Sequence, residues 1–278
     1  MPWKYTEEYY REYTRTTWNE SAEAYLDFFT NLEPFRADLV KRLRPRSGEK
    51  ILDLGTGPGE PALTIAGRVG SKGHVTGVDL SEKMIAIARR VALGRSVQNV
   101  DFQVCDCSKL GFDSGRFDAA VSSFGFQIFT SPEQAAREAF RVLRPGGRIA
   151  VSVWSTGDRV PFIDAIIGPM LEHAEPDETG YLPTPYELGG PMEMVKFLQE
   201  AGFHEASEKR LTHSIRYEDE ERYLQSILKA TPIGHSLSEE SQEVQEEVLR
   251  KTRKNLLHWK TPQGLSIPGE CVFVTATK

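Results

Sequence analysis

Two periodicities alternate along the middle of the chain. Short apolar runs with strand character are "EKILDL" (49–54), "HVTGVDL" (74–80), "VDFQVC" (100–105), "RFDAAVSS" (116–123) and "RIAVSVW" (148–154). Between them, apolar residues recur at helical spacing in "PALTIAGRV" (61–69), "EKMIAIARRVAL" (82–93) and "PEQAAREAFRVL" (132–143). The last puts Ala136, Phe140 and Leu143 on one face and stops at Pro145 and Gly146. Ser81 before Glu82 and Ser131 before Pro132 occupy N-cap positions. Strand–helix–strand alternation requires parallel strands joined by right-handed crossovers, so the pattern predicts an α/β sheet covered on both faces. Two later strands, "KRLTHSIRY" (209–217) and "ECVFVTAT" (270–277), follow a helical "MEMVKFLQEAGF" (192–203) and extend that sheet at one edge.

Three pieces fall outside the alternation. Residues 1–46 read as helical and aromatic, and 155–191 are rich in Pro and Gly. Residues 218–262 hold a long polar helix whose acids precede its bases, with Glu246–Arg250 and Glu247–Lys251 at favourable i,i+4 spacing. The predicted division is therefore an N-terminal helical segment (1–46) and one α/β domain (47–278) with insertions at 155–191 and 218–262.

Composition narrows the function classes. The 278 residues carry 34 Lys and Arg against 40 Asp and Glu, and this mildly acidic balance disfavours gripping a phosphate backbone. "KRLRPR" (41–46) and "RKTRK" (250–254) are short and read as solvated faces. No nucleic-acid partner is expected. Cys105, Cys107 and Cys271 are too few for a disulfide scaffold. The start lacks an apolar signal core, and no run approaches the ~20 apolar residues of a membrane span, so a cytoplasmic protein is expected. "CDC" (105–107) raises the possibility of a metal or arsenic site, but zinc normally takes four ligands and the remaining cysteine is distant. The histidines follow no ligand spacing. His235, in "TPIGHS", is the single weak candidate for acid/base work.

The candidate chemistry sits in "ILDLGTGPGEPALTIA" (51–66), where Gly55, Gly57 and Gly59 directly follow an apolar strand. In an open α/β sheet ligands bind at the carboxyl ends of the strands, and bare backbone there lets N–H groups approach closely. A dinucleotide fingerprint would need glycine where this chain has Glu60. Asp53 precedes the loop, unwelcome beside a pyrophosphate and useful beside an amine. Asp79 ends the second strand, placed to accept both hydroxyls of a ribose. Together these describe a nucleoside with a cationic or zwitterionic tail.

"ILDLGTGPGEPAL", "VTGVDLSEKMIAIAR", "VCDCSKLGFDSGRFDAAVSSFGF" and "EAFRVLRPGGRIAVSVW" resemble, in order and spacing, the motifs of class I S-adenosylmethionine-dependent methyltransferases. Nearest is the type-11, ubiquinone/menaquinone-biosynthesis-like subgroup. The resemblance covers about residues 45–155. It implies a Rossmann-like, mostly parallel seven-stranded sheet with helices on both faces and a helical cap. It also implies S-adenosyl-L-methionine as cofactor and S-adenosyl-L-homocysteine as product. Carried over by position, Asp53, Gly55, Thr56, Gly57 and Gly59 would surround the methionine end, and Asp79 would take the ribose, with Leu80 and Met84 beside the adenine. Asp106 would face the adenine amino group, the main chain of Cys107 would meet the ring, and Ser122 would line the sulfonium. Trp18 and Tyr25 resemble the aromatic residues that fold over the cofactor.

For the acceptor, Phe126, Gln127 and Trp154 stand near strand ends that should border its site. "SSFGFQ" follows the fourth strand where amino-methyltransferases typically carry N/D-P-P-Y/F, and no acid cluster for magnesium appears. The expected activity is methyl transfer (EC 2.1.1.-) to a small hydrophobic or aromatic molecule, without metal. Methylation of protein or RNA, and a cofactor-binding regulator without turnover, are the alternatives. Monomer and homodimer both stay open. Residues 1–30, 155–191 and 218–262 are expected to roof the reacting end together.

Overall fold

The computed structural model describes residues 7–174 and 185–278. Residues 1–6 of the N-terminal segment and 175–184 of the Pro- and Gly-rich one therefore lie outside the described residues. The chain begins with α1 (Glu7–Thr30) and α2 (Glu33–Leu43), then runs β1 (Lys50–Leu54), α3 (Ala62–Val69), β2 (His74–Asp79), α4 (Glu82–Gly94) and β3 (Val100–Val104). It continues with β4 (Phe117–Ser123), α5 (Pro132–Val142), β5 (Leu143–Trp154), α6 (Pro161–Leu171), α7 (Glu193–Glu200) and β6 (His204–Tyr217). Three helices, α8 (Glu220–Ala230), α9 (Pro232–Ser238) and α10 (Gln242–Leu256), precede a two-residue β7 (Lys260–Thr261) and the final β8 (Gly264–Thr277).

The sheet order is β3-β2-β1-β4-β5-β8-β6, with β7 pairing β8 as a short eighth strand beside the expected seven. Strands β3 to β5 are mutually parallel, and β8 runs antiparallel to both β5 and β6. Order reverses between β1 and β4, so the crevice at their carboxyl ends is the topological switch point. Alternate residues of each strand serve opposite faces. Ile51, Val75 and Val121 pack with α2, α3 and α4 through Leu39, Ile65 and Ile85. Leu52, Val78 and Ala120 pack with α5 and α7 through Ala136, Ala139 and Leu198.

Local signals act largely as predicted. Ser81 caps α4 by accepting the N–H of Met84 at 3.1 Å, whereas Ser131 makes no capping bond to α5. Strand β5 starts at Leu143, five residues before the predicted position, because "RPGG" bulges outward while Phe117 already pairs with Leu143. The long polar helix is α10. Its Glu247–Lys251 pair forms at 2.7 Å, while Glu246 instead receives the amide of Gln242.

Arg148, on β5, ties the sheet to the α2–β1 connection. Its Nε donates to Leu43 O at 2.7 Å and Nη2 to Arg44 O at 2.8 Å, and Nη1 and Nη2 grip the nearly buried Glu49 carboxylate at 2.8 and 2.7 Å. Removing the guanidinium leaves the Glu49 carboxylate with only the Arg46 N–H and takes a donor from two carbonyls. Arg148→Ala should cost about 2–4 kcal/mol in a denaturant titration. A loss under 0.5 kcal/mol would show the network to be incidental.

Candidate functional site

The glycine loop is fixed from beneath. Asp53 is fully buried, and its Oδ2 accepts from Thr56 Oγ1 at 2.7 Å and from the Ala62 N–H at 3.2 Å. Its Oδ1, also buried, has no hydrogen-bond partner among the described residues. Burial pushes the carboxyl up to about 7, against the lowering effect of those two hydrogen bonds. The Gly55 and Thr56 N–H groups both reach Val78 O at 2.9 Å, which bends the chain back over β2. Gly55 and Gly57 hold φ of 69° and 53°, a region costly for residues with a Cβ. A Cβ on Gly55 would stand 3.0 Å from the Phe129 ring.

Each neighbouring strand end adds a side. From β2, Asp79 Oδ2 accepts the Gly57 N–H and Oδ1 accepts the Ser81 N–H, both at 2.9 Å, and burial raises its pKa. Leu80 and Met84 lie beside it in the same pocket. After β3, Asp106 Oδ1 accepts from the N–H and hydroxyl of Ser108 at 2.8 and 2.7 Å. Cys105 and Cys107 flank it along the wall, with thiols pushed up chiefly by burial. After β4 the backbone turns through Phe124 at φ 59°, a strained value for a bulky residue, and presents Phe124, Gly125, Ile128 and Phe129 to the pocket. Phe124 stacks on Trp154 at 4.2 Å between centroids.

Helix α1 forms the roof, contributing Thr14, Trp18, Tyr25 and Phe29 to the pocket. Polar groups latch it to the loops below. Arg11 Nε lies 2.9 Å from Asp106 Oδ2, and Arg15 Nη1 donates to Glu82 at 2.8 Å. Asn19 accepts from Ser81 Oγ at 2.6 Å and from the Lys83 N–H at 3.1 Å, and donates to Glu82 at 2.8 Å. Trp18 meets Tyr25 edge-to-face at 5.1 Å. Burial pushes the Tyr25 hydroxyl up to about 12.

Residues 51–147 match the sequence pattern of a methyltransferase domain. The matched stretch, about a third of the chain, runs from β1 into β5. The chain is 33% identical over 123 residues to the ubiquinone/menaquinone biosynthesis C-methyltransferase of Geotalea daltonii, covering 44% of this chain and 52% of that protein. It is 40% identical over 131 residues to the demethylmenaquinone methyltransferase of Thermus thermophilus, covering 45% of this chain and 59% of that protein. The chain thus spans about half the length of the curated relatives it matches. Among solved structures it is similar to the YcgJ protein of Bacillus subtilis, with TM-score 0.59, 18% identity, and coverage of 87% of this chain and 97% of that one. It is also similar to phosphoethanolamine N-methyltransferase 2 of Haemonchus contortus, with TM-score 0.54, 19% identity, and coverage of 88% and 52%. At such identities these structures establish the fold.

Within the matched stretch, Gly55, Thr56, Gly57, Asp79, Leu80, Met84, Asp106 and Cys107 line the pocket together, under Trp18 and Tyr25. Other candidates lie elsewhere. Asp53 sits behind the loop, and Gly59 faces away from the pocket to pack on Ala88 and Leu63. Ser122 points into the sheet and donates to Leu54 O at 2.9 Å. Phe126 is core, against Phe129 and Phe197, and Gln127 accepts the Trp154 N–H at 2.8 Å. Trp154 is buried between Phe124, Phe35 and Phe162. His235 lies on α9 between Tyr13, Glu20 and Glu239, away from the pocket. The shared roof of three segments also needs correcting. Among the described residues, none from 155–191 or 218–262 lines the pocket; α8 and α9 pack against α1 and support it from behind. Phe29, Glu60, Ser108 and Ile128 are pocket residues that sequence reading missed.

The raised Asp53 gives a pH signature. Between about pH 4 and 7 the unfolded chain ionises this carboxyl while the folded chain keeps it protonated, so its contribution to stability falls as pH rises and is level above the folded value. Relative to wild type, Asp53→Asn should therefore gain stability progressively over that window, by on the order of 4 kcal/mol. Chemical denaturation across pH 4–8 checks this. A difference independent of pH would contradict the assignment.

Proposed function

We propose that this chain transfers a methyl group from S-adenosylmethionine to a small, apolar, ring-bearing acceptor. The observation that carries the reading is the convergence of Gly57, Asp79 and Asp106 on one pocket whose opposite end is aromatic. Asp79 holds two backbone N–H groups with its inner lone pairs, which orients the remaining ones for a pair of ribose hydroxyls. The residues present fit the cofactor. A buried oxygen of Asp53 lacks a hydrogen-bond partner among the described residues, and a cationic sulfonium and ammonium in front of the loop would favour the ionised form of this carboxyl, which in turn attracts them. S-adenosylmethionine, when bound, supplies a methyl group already activated by its sulfonium.

The chain's own part is alignment and exclusion of water. Trp18, Tyr25 and Phe29 cover the pocket from above, and Phe124, Ile128 and Phe129 form the apolar end. That end, from Ser123 to Ser131, contributes no ionisable side chain to the pocket, and Tyr25 stays protonated at neutral pH. Such a site suits an acceptor that arrives already nucleophilic. The relatives named for menaquinone and demethylmenaquinone support a quinol-like ring as the acceptor class.

Isothermal titration should show both S-adenosylmethionine and S-adenosylhomocysteine binding, each weakened at least tenfold by Asp79→Ala, or about 1.5–3 kcal/mol. Binding of a nicotinamide dinucleotide with no response to either would overturn the proposal. Ile128, 39% exposed at the apolar end, tests the acceptor separately. Ile128→Asp should leave cofactor affinity within twofold and lower kcat/KM for a quinol acceptor about tenfold or more. Unchanged kcat/KM would place the acceptor elsewhere.

A further inference from the structure

A second cleft, of about 810 Å³, opens on the far side of the Phe29 and Glu60 wall of the methyltransferase pocket. It lies between the end of α1, the outer side of α2, the start of α3 and the end of α4. Its charge is lopsided. Arg36, Lys41, Arg44, Arg68 and Arg95 line it against two acids, Glu33 and Glu60. Glu60 is already taken by Arg95 at 2.6 Å and by the Thr64 N–H at 3.1 Å. Among the described residues, no carboxylate comes within ion-pair distance of Arg36, Lys41, Arg44 or Arg68.

Arg36 is the decisive member. It is only 8% exposed, yet it has no counter-ion. One of its N–H groups goes to Phe29 O at 2.6 Å, where it satisfies a carbonyl at the end of α1. Its plane is held over the Phe29 ring, 3.8 Å from the centroid. That leaves the other donors of a rigid planar fork without an acid, and burial lowers its pKa. A buried, unpaired cation is costly, and a well-packed apolar residue would fill the same space more cheaply. Beside it Leu26, Val40 and Val91 supply an apolar floor. Lys41, Arg44 and Arg68 stand exposed around the rim.

We infer that this cleft is a second ligand site, for a soluble small molecule carrying a phosphate or carboxylate on an apolar body, with Arg36 as the buried anchor. The fork matches either anion in a bidentate manner, and the rim cations draw it in. This site stands apart from the proposed cofactor pocket, so its test needs neither S-adenosylmethionine nor turnover.

The full chain is titrated calorimetrically with octyl phosphate and octanoate, with octanol and inorganic phosphate as controls. Saturable binding of the amphiphilic anions is expected, at least tenfold tighter than either control. Arg36→Met should weaken it at least tenfold while the melting temperature shows the fold retained. The exposed pair Arg44→Ser/Arg68→Ser should weaken it severalfold and flatten its salt dependence, and this variant decides the matter if Arg36→Met does not fold. Wild-type affinity in both variants, equal binding of octanol, equal binding of inorganic phosphate, or no saturable binding would each overturn the inference. So would sedimentation with anionic phospholipid vesicles without binding of monomeric octyl phosphate, which would make the cleft a membrane contact.

Discussion

Everything at the ligand-facing end hangs on a carboxylate held where water cannot reach it. Asp53 draws Thr56 and the first turn of α3 onto itself, and this fixes the curl of Gly55 and Gly57 before any ligand is present. The N–H of Gly57, so placed, meets Asp79, and Asp79 in turn meets Ser81, the N-cap of α4. One chain of polar contacts therefore links the ends of β1 and β2 and the starts of two helices. The cost is a buried oxygen without a hydrogen-bond partner among the described residues. A fold that keeps such a group has traded stability for an electrostatic bias at a chosen point.

The roof is assembled on a different principle. Helix α1 presents aromatic rings to the pocket but is registered by Arg11, Arg15 and Asn19, which reach loops at the ends of β2 and β3. The residues that set its position thus touch the same short segments as the proposed cofactor. Apolar packing alone is non-directional and would let a helix slide. Asn19, satisfied on both sides by the N-terminus of α4, does not permit that. The helices α8 and α9 behind α1 complete the support.

The alternation of strands and helices, the glycine loop and Asp79 were legible because each has a local cause: period, punctuation, or a residue type at a strand end; Asp106 came only with the family resemblance. The acceptor end was not. Ser122 and Phe126 were expected at the pocket, but Ser122 still belongs to β4 and bonds Leu54 O, and beyond it the chain leaves strand geometry at Phe124, whose left-handed φ sends Phe126 into the core. Alternation cannot be extrapolated across such a turn. Trp154 lies behind the Phe124 ring, which stands between it and the pocket. The 218–262 helices were read as cover because sequence shows leftover chain without showing which layer it joins. Arg11 and Arg36 carried no signal at all, being ordinary charged positions on helices until their neighbours are known.

The position of β8 has a consequence for how the protein comes into being. This strand, which follows β6 in sequence, is second from the edge, and among the described residues β6 finds its sheet partner only in β8. Residues 204–217 must therefore wait, synthesised and unpaired, until 264–277 have emerged to be inserted between them and β5. The pairing of β5 with β8 spans more than a hundred residues, so closing it is slow compared with the local β–α steps that build β1 to β4. During that interval β5 is an open edge, and its apolar run "IAVSVW" is the segment most exposed to pairing with another chain.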